Sequence, residues 1–275
     1  LEQLIRDTEA EDYLVTYDYL GLGENIGEYI IEQKKLEKAE EPCTVEFLFG
    51  DRENQAAFLY SLGLLEKLEP YLEDGTLICR SGETDFASAS LQEDTVLKER
   101  ERFNSILQLK YPDAPPDIVC AFSDEYASVA IGVIEKKEYP QYEDRENRIL
   151  VSDRTLVKEE ETETGEEEEA EWPLITGNGA SLEGMNAIMA GKQAVSAYHN
   201  TVSLAETCAK MVDALMKNEK IEGVVEQYDN GMKVIPACVS ETQMVDLDNY
   251  KEILIDTGVY VIEPQFAVVE QVEIR

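Results

Sequence analysis

Apolar strands that alternate with helices constrain this chain more than any other feature of its sequence. Runs such as "CTVEFLF" (43–49) and "DIVCAF" (117–122) are apolar on both faces, and stretches of helical length separate them. Strands of this kind are typical of a parallel sheet that is covered by helices on both sides. The sequence therefore predicts an α/β fold with a doubly wound parallel sheet.

The predicted elements follow one another along almost the whole chain. Strands are predicted at residues 13–18, 43–50, 76–82, 117–124, 173–179 and 231–240. Helices are predicted at residues 21–37, 56–75, 94–116, 125–139, 181–193 and 202–220. The second of these helices ends in Asp74 and Gly75, which is a typical C-terminal stop signal.

The segment 140–172 interrupts this rhythm. It holds a candidate β-hairpin, "RILVSDRTLV" (148–157), followed by the acidic run "KEEETETGEEEEAE" (158–171). Blocks of like charge repel one another and do not pack into a core. We predict an acidic surface insertion with a disordered tip, whose default role is to keep the protein soluble.

The formal net charge of −35 restricts the partners of the chain. Such a field repels nucleic acid phosphates and anionic lipids, so we predict no nucleic acid partner. A neutral or cationic ligand fits better. No apolar run approaches the roughly 20 residues that cross a bilayer, so we predict no direct membrane insertion of this chain.

Motifs of catalysis and of metal binding are missing from the sequence. GxSxG, HExxH and GxxxxGK[ST] do not occur, and "TGNGAS" (176–181) lacks the lysine of a phosphate-binding loop. The cysteines form no CxxC pair, and we expect mostly buried, inert thiols at Cys43, Cys79, Cys120, Cys208 and Cys238. We predict no metal, no cofactor and no enzymatic activity. A nucleotide-using enzyme on a flavodoxin-like sheet remains an alternative.

Polar turns follow several of the predicted strands. They lie at residues 18–19, 50–55, 123–126 and 177–181, and Arg52 is the one basic residue among them. In a doubly wound sheet, ligands bind beyond the carboxyl ends of the strands. Carboxylates and amides bind hydroxyl groups, and aromatic rings cover the apolar face of a sugar. These turns therefore predict a site for a hydroxyl-rich ligand.

Three residues are expected to share one hollow along a single edge of this sheet, namely Asp18, Asp124 and Asn178. Helix N-capping is the alternative role for the two aspartates, because Asp caps helices well. For the lone histidine, His199, the alternative to a functional role is that of an ordinary polar residue.

The C-terminal half of the sequence resembles a known family. "ITGNGASLEGMNAIMAGKQAVSAYHNT" (175–201), "NGMKVIP" (230–236) and "NYKEILIDTG" (249–258) are similar to the multiple-sugar-, xylose- and galactose-binding proteins of ABC importers. These are type I periplasmic binding proteins, in which two α/β lobes close over a monosaccharide. Weaker similarity extends to the N-terminus.

The resemblance implies ligand-binding roles for particular residues. Asp18 matches the acid of a turn that meets sugar hydroxyls, Asp124 matches an acid that ends a strand, and Asn178 stands where the family has Gln. Gln3 replaces a family Arg, Tyr19 replaces an Asn, and His199 replaces a common Lys. The predicted ligand-binding set is Asp18, Tyr19, Asn54, Asp124, Asn178, Gln3 and His199. Several of these replacements remove strong hydrogen bonds, which would weaken a sugar site by orders of magnitude.

The resemblance also implies a division into lobes. Residues 1–199 are predicted to form the second, C-terminal-type lobe, which carries the acidic insertion at about 140–172. Residues 200–235 are predicted to be a remnant of the first lobe, and residues 236–275 return to the second. Most of the N-terminal lobe is expected to be missing from this chain.

The predicted function follows from the resemblance and from the polar turns. It is an extracytoplasmic solute-binding protein, periplasmic or a cell-surface lipoprotein, whose signal segment is not in this chain. Its predicted partners are a small-molecule carbohydrate and an ABC permease or membrane sensor. The alternatives are a divergent, ligand-poor module for sensing or protein interaction, and a transcription regulator with this sensor fold.

Overall fold

The computed structural model describes residues 2, 4–93, 95–137, 139, 172–224, 226–262 and 268–270. The predicted insertion, apart from Trp172, and its hairpin and acidic run lie outside the described residues.

The described chain alternates strands and helices as predicted. Strands β1 to β13 lie at Leu14–Tyr17, Cys43–Leu48, Gly50–Asp51, Leu77–Ile78, Ser90–Leu91, Ile118–Ala121, Leu174–Asn178, Val195–Tyr198, Glu226–Asp229, Val234–Ser240, Gln243–Asp246, Tyr260–Ile262 and Val268–Glu270. Helices α1 to α7 lie at Tyr19–Gln33, Gln55–Asp74, Phe86–Ala89, Val96–Lys110, Asp124–Lys136, Leu182–Met189 and Thr201–Lys217. A π-helical turn spans Lys251–Ile255.

The larger sheet has six strands in the order β11-β8-β7-β6-β2-β4. All neighbours in it are parallel except β11, which runs antiparallel to β8. Strand β4 is shorter than the predicted strand 76–82, because the chain leaves the sheet where the Ser81 amide donates to the buried Glu46 carboxylate (3.0 Å). The predicted mostly parallel α/β sheet is confirmed.

Both faces of this sheet are buried, and the side chains of each strand alternate between them. Along β2, Val45 and Phe47 point into a core that contains α1 and α2, whereas Leu48 points into a core that contains α4 and α5. Residues two apart lie on the same side of a strand, so one apolar run fills both cores. This explains why the strands show no polar alternation.

Helices α1 and α2 pack against each other at two glycines. A Cβ atom at Gly23 would overlap the carbonyl oxygen of Tyr60, and one at Gly63 would overlap that of Leu20. The two backbones can approach this closely only because neither glycine has a side chain. Both helices pack in the same core, on one face of the sheet.

A second, three-stranded sheet has the order β1-β10-β9, with β1 parallel to β10. Helix α7 packs on it through Leu204 and Met211, which contact Val15 and Tyr17 of β1. The prediction that the strand at 13–18 begins the large sheet is therefore wrong, because its apolar pattern fits any sheet and does not specify the partner. The predicted lobe boundaries stay a prediction. The paired residues of β1 and β10, Leu14–Tyr17 and Ala237–Ser240, fall in the two ranges that were assigned to the same lobe, 1–199 and 236–275.

Within the described residues, the helices are too short or too polar to cross a membrane.

Candidate functional site

A cavity of about 540 Å³ lies where the two sheets meet. Its wall comes from the N-terminal segment, from β1 and β9, and from the turns that follow β1, β2, β6 and β7. The lining residues are Glu2, Leu4, Arg6, Leu14, Thr16, Tyr19, Asp51, Glu53, Asn54, Gln55, Ala56, Leu59, Phe122, Asn178 and Tyr228. Amides, carboxylates and aromatic rings converge here, which is typical of a small-molecule site.

Asn178 ends β7 and is a buried polar residue of this wall, at 8% exposure. Its Oδ1 lies 2.6 Å from Nε2 of His199. Asn Oδ1 is an acceptor, so this pairing assigns the proton of the ring to Nε2. The amide nitrogen of Asn178 has no hydrogen-bond partner among the described residues, and it is the donor that Asn178 can offer to a ligand.

His199 lies behind the wall rather than on it. Its ring centroid is 4.4 Å from that of Tyr17 and 5.6 Å from that of Tyr19. Burial among these rings lowers the pKa of His199 to about 4, because a charged imidazolium would lose its hydration. The ring is therefore neutral near pH 7.

Aromatic rings form one side of the cavity. Tyr19 follows β1, Phe122 follows β6, and their ring centroids lie 6.4 Å apart. Burial raises the pKa of Tyr19, and the charge of Glu2 raises it further, so its hydroxyl stays protonated. Such a wall can cover the apolar face of a ring-shaped ligand and donate one hydrogen bond.

The turn between β2 and α2 supplies further polar residues of the lining. Oδ1 of Asp51 accepts from the Glu53 amide (2.9 Å), and Oδ1 of Asn54 caps α2 by accepting from Ala56 (2.9 Å) and Ala57 (3.2 Å). These bonds fix the turn before any ligand arrives. The side-chain nitrogen of Asn54 and the second oxygen of Asp51 have no hydrogen-bond partner within the part of the chain that the structure describes.

The N-terminal segment is held against the cavity from outside. The Glu2 amide donates to the Val15 carbonyl (2.8 Å), and the Asn230 side chain donates to the carbonyls of Ile5 (3.2 Å) and Thr8 (2.8 Å). These bonds place Arg6 on the wall. Arg52, the basic residue noted in the sequence, instead donates to the carbonyls of Ala87 and Ser90 (3.1 Å for Ser90) and does not line the cavity.

Asp18 caps α1, which was its alternative role. Its Oδ1 accepts from the Gly21 amide (2.8 Å), and its own amide donates to the Ser240 carbonyl (3.0 Å). It follows a strand of the smaller sheet and is not one of the lining residues. Its charge nevertheless acts on the wall, because burial, Glu226 and Asp18 together raise the pKa of Tyr228.

Asp124 lies beneath the cavity, with 2% exposure. Its Oδ1 accepts from Gln193 (2.8 Å) and from the Ser196 hydroxyl (2.7 Å), and its Oδ2 accepts from the Ser181 amide (2.7 Å). The capping residue of α5 is Ser123. Asp124 thus ties α5 to β8 and to the turn that follows β7, with its acceptor sites used inside the protein.

The structure brings together some of the predicted residues and separates others. Tyr19, Asn54 and Asn178 line the cavity, His199 and Asp18 stand behind its wall, and Asp124 lies below it. Gln3 lies outside the described residues. The expected arrangement of Asp18, Asp124 and Asn178 along one edge of one sheet is wrong, because β1 belongs to the other sheet.

Sequence reasoning missed several residues of the wall, including Arg6, Phe122 and Tyr228. Tyr228 lies on β9 and Arg6 on the segment before β1, and both are brought to the cavity because β1 pairs with β10 and β10 pairs with β9. No local sequence pattern predicts these pairings. Phe122 follows β6 directly, and its place next to the turn at 123–126 was the available signal.

A metal site has no support in the described ranges, which contain no cluster of three or more His, Cys, Asp or Glu side chains suited to an ion. The cysteines are free thiols. Burial raises the pKa of Cys79 to about 11, with the charge of Glu46 as a second cause, so this thiol is not reactive near pH 7.

The chain is similar in sequence to two periplasmic sugar-binding proteins. The chain is 26% identical over 96% of its length to the multiple sugar-binding periplasmic protein SbpA of Azospirillum brasilense. It is 25% identical over 94% of its length to the multiple sugar-binding periplasmic receptor ChvE of Rhizobium radiobacter. It spans 67% and 66% of the lengths of these proteins, respectively. No model of a known protein family matches the sequence.

A solved structure extends this comparison to the fold. An ABC transporter solute-binding protein from Clostridium phytofermentans with bound β-D-glucose matches with a TM-score of 0.77 and 28% identity, over 94% of this chain and 72% of that chain. The class defined by the fold is that of type I periplasmic binding proteins, as predicted. Within that class, the chain is similar in sequence to the multiple-sugar-binding periplasmic proteins.

Proposed function

We propose that this chain carries the ligand site of an extracytoplasmic solute-binding protein of an ABC-type importer, and that the ligand is a monosaccharide or a similar polyol. The observation that carries the proposal is the cavity between the two sheets. It combines fixed amide groups at Asn54 and Asn178 with the aromatic wall of Tyr19 and Phe122. That combination suits a ring with hydroxyl groups on its edge and C–H bonds on its faces.

The relatives support the same reading. Two are multiple sugar-binding periplasmic proteins, and a matching structure holds β-D-glucose. By analogy with them, the protein is proposed to act outside the cytoplasm, to deliver its ligand to a permease or a membrane sensor, and to have no catalytic role. Closure of two lobes over the ligand is the proposed mechanism.

Isothermal titration calorimetry tests this function. The chain is titrated with D-glucose, D-galactose, D-xylose and myo-inositol, and at least one is expected to bind with a 1:1 stoichiometry. The variant Asn178→Leu is expected to weaken that binding tenfold or more, because it removes a fixed donor from the wall. Flat traces for the whole panel, from protein shown to be folded by circular dichroism, would contradict the proposal.

A protein-interaction module is the second candidate, and helix α7 is the observation that favours it. Beyond the two residues that pack on β1, this helix exposes Val202, Val212, Leu215 and Met216, the last at 83%. Apolar side chains grouped on one helix usually mark a surface that another polypeptide covers. Two results together would support this candidate over sugar binding. No sugar of the panel would give a binding signal in calorimetry, and a protein partner would bind the wild type but not Met216→Glu.

A further inference from the structure

The cavity is bordered by more carboxylates than cations. Glu2, Asp51 and Glu53 line it, and Arg6 is the basic residue among its lining residues in the described chain. Arg6 is exposed and makes no ion pair with a described residue, so it stays hydrated and offsets the acids only in part. The wall therefore has an excess of negative charge, and the surrounding protein, with its net charge of −35, adds to it.

Acids near the cavity also act on the tyrosines of its wall. Burial is the largest cause of the raised pKa of Tyr19 and Tyr228, and nearby acids are the next. Glu2 acts on Tyr19, while Glu226 and Asp18 act on Tyr228. The charges of these carboxylates repel any anion that enters the cavity and stabilise a cation there.

Two polar groups point to a bound ligand rather than to a merely acidic surface. Asn178 is more than nine-tenths buried, lines the cavity, and has an amide nitrogen without a partner among the described residues. Asp51 is half-buried, and one of its oxygens is fixed by the Glu53 amide while the other is unused within the described ranges. The cavity thus offers one fixed neutral donor and one fixed anionic acceptor.

We propose that this cavity selects sugars by charge: it prefers an amino sugar to its neutral counterpart and excludes the corresponding sugar acid, with Asp51 as the residue that binds the ammonium group. The proposal rests on the sugar-binding function proposed above and narrows its ligand class. An ammonium group donates charge-assisted hydrogen bonds to the free oxygen of Asp51. The carboxylate of a sugar acid would instead face Glu2, Asp51 and Glu53, with Arg6 as its counter-charge.

Matched trios of sugars test the charge preference. D-glucose, D-glucosamine and D-glucuronate, and the same three forms of galactose, are titrated into the full chain at pH 6.5, where a sugar amine is largely protonated. We expect the amino sugar to bind about tenfold more tightly than the neutral sugar and the sugar acid to bind at least tenfold more weakly. N-acetylglucosamine carries a bulky but uncharged group at the same position, and it is expected to bind no more tightly than D-glucose. Raising the salt concentration to 0.5 M is expected to reduce the differences.

Two variants assign the effect to the cavity. Asp51→Asn is expected to bring the ratio of amino-sugar to neutral-sugar affinity close to one, and Arg6→Ala is expected to raise it. Asp248→Asn removes a charge outside the cavity and is expected to leave that ratio as in the wild type.

The outcomes separate this proposal from the broader function. If neutral sugars bind and the three forms bind equally, or if the sugar acid binds most tightly, charge selection is overturned while sugar binding stands. If Asp51→Asn keeps the full ratio, the role of Asp51 is overturned. If none of the sugars binds to folded protein, the proposed function fails, and charge selection fails with it.

Discussion

At the residue scale, Asn178 meets the cavity through an amide that a neutral histidine holds in place. The 2.6 Å contact with His199 uses the amide oxygen, which leaves the nitrogen for a ligand. His199 itself is held by Tyr17 and Tyr19, so its orientation depends on β1 and on the first turn of α1. His199, predicted as a ligand contact, stands behind the wall, and we propose that it acts by positioning Asn178.

The hydrogen bond of His199 gives a prediction with a matched pair of variants. His199→Gln can place a donor near the position of Nε2, whereas His199→Leu cannot. Titration with whichever monosaccharide binds is expected to show affinity within about threefold of wild type for the Gln variant and a loss of about tenfold for the Leu variant. Equal affinities for the wild type and the Leu variant would show that this contact does not position Asn178.

The pKa of His199 gives a prediction about stability and pH. In the folded protein it is about 4, below the ordinary value of 6.5, so the unfolded chain holds a proton between these values that the folded chain does not. The stability contributed by neutral His199 is complete above about pH 6.5 and is lost as the pH falls to about 4, by up to about 3 kcal/mol. Urea unfolding of the wild type and of His199→Gln at several pH values from 7.5 to 4 measures this contribution, as the difference between their free energies of unfolding. A difference that does not change with pH would contradict the assignment.

At the element scale, contacts between helices and turns hold the lining of the cavity in place. Helices α1 and α2 begin at the lining residues Tyr19 and Gln55, and their backbones come close together at Gly23 and Gly63. The turn after β7, which carries Asn178, is tied to α5 by Asp124. The site therefore depends on packing below it as much as on the residues that line it.

The glycine contact between α1 and α2 predicts a large effect of one methyl group. Gly63→Ala places a Cβ atom against the Leu20 carbonyl and is expected to destabilise the fold by about 1–3 kcal/mol or more. Gly132→Ala is the control, because Gly132 lies in α5 with no atom near the added carbon, and it is expected to stabilise by about 0.5–1 kcal/mol. Urea unfolding of both variants checks the prediction, and equal midpoints would refute the close approach of the helices.

The buried hydrogen bonds of Asp124 predict that its replacement destabilises the fold, although Asp124 does not line the cavity. Asp124→Ala leaves the Ser181 amide and the side chains of Gln193 and Ser196 without their acceptor. The free energy of unfolding is expected to fall by about 3 kcal/mol, because buried polar groups would lose their partners. Thermal or urea unfolding measures this, and an unchanged midpoint would contradict the structural role.

Much of this element structure was predictable from sequence, and its limits have a physical cause. The helix at 56–75 was predicted almost to the residue, because Gly75 allows the left-handed conformation that ends α2. Each strand buries its own apolar side chains, so its pattern marks it as a strand. The pairing of β1 with β10 depends on residues more than 200 positions apart, and the pattern of β1 alone fits either sheet. The cavity forms through that pairing, so its full lining could not be predicted.

At the scale of the whole molecule, two sheets of different size meet around one cavity. The chain spans about two thirds of the length of the sugar-binding relatives it matches. The exposed α7 face lies on the part built around the smaller sheet, which also contributes to the cavity, and α7 packs with Tyr17, which in turn contacts His199. A polypeptide that covers α7 would thus bind a helix that packs on the strand that supports the ligand wall.

The location of a bound sugar tests the account most directly. A crystal structure of the chain with the monosaccharide that binds in solution is expected to show it in the cavity between the two sheets. Its ring should lie against Tyr19 and Phe122, and its hydroxyl groups should lie within hydrogen-bond distance of the Asn54 and Asn178 amides. A sugar bound elsewhere on the chain, with this cavity filled by water alone, would contradict the account.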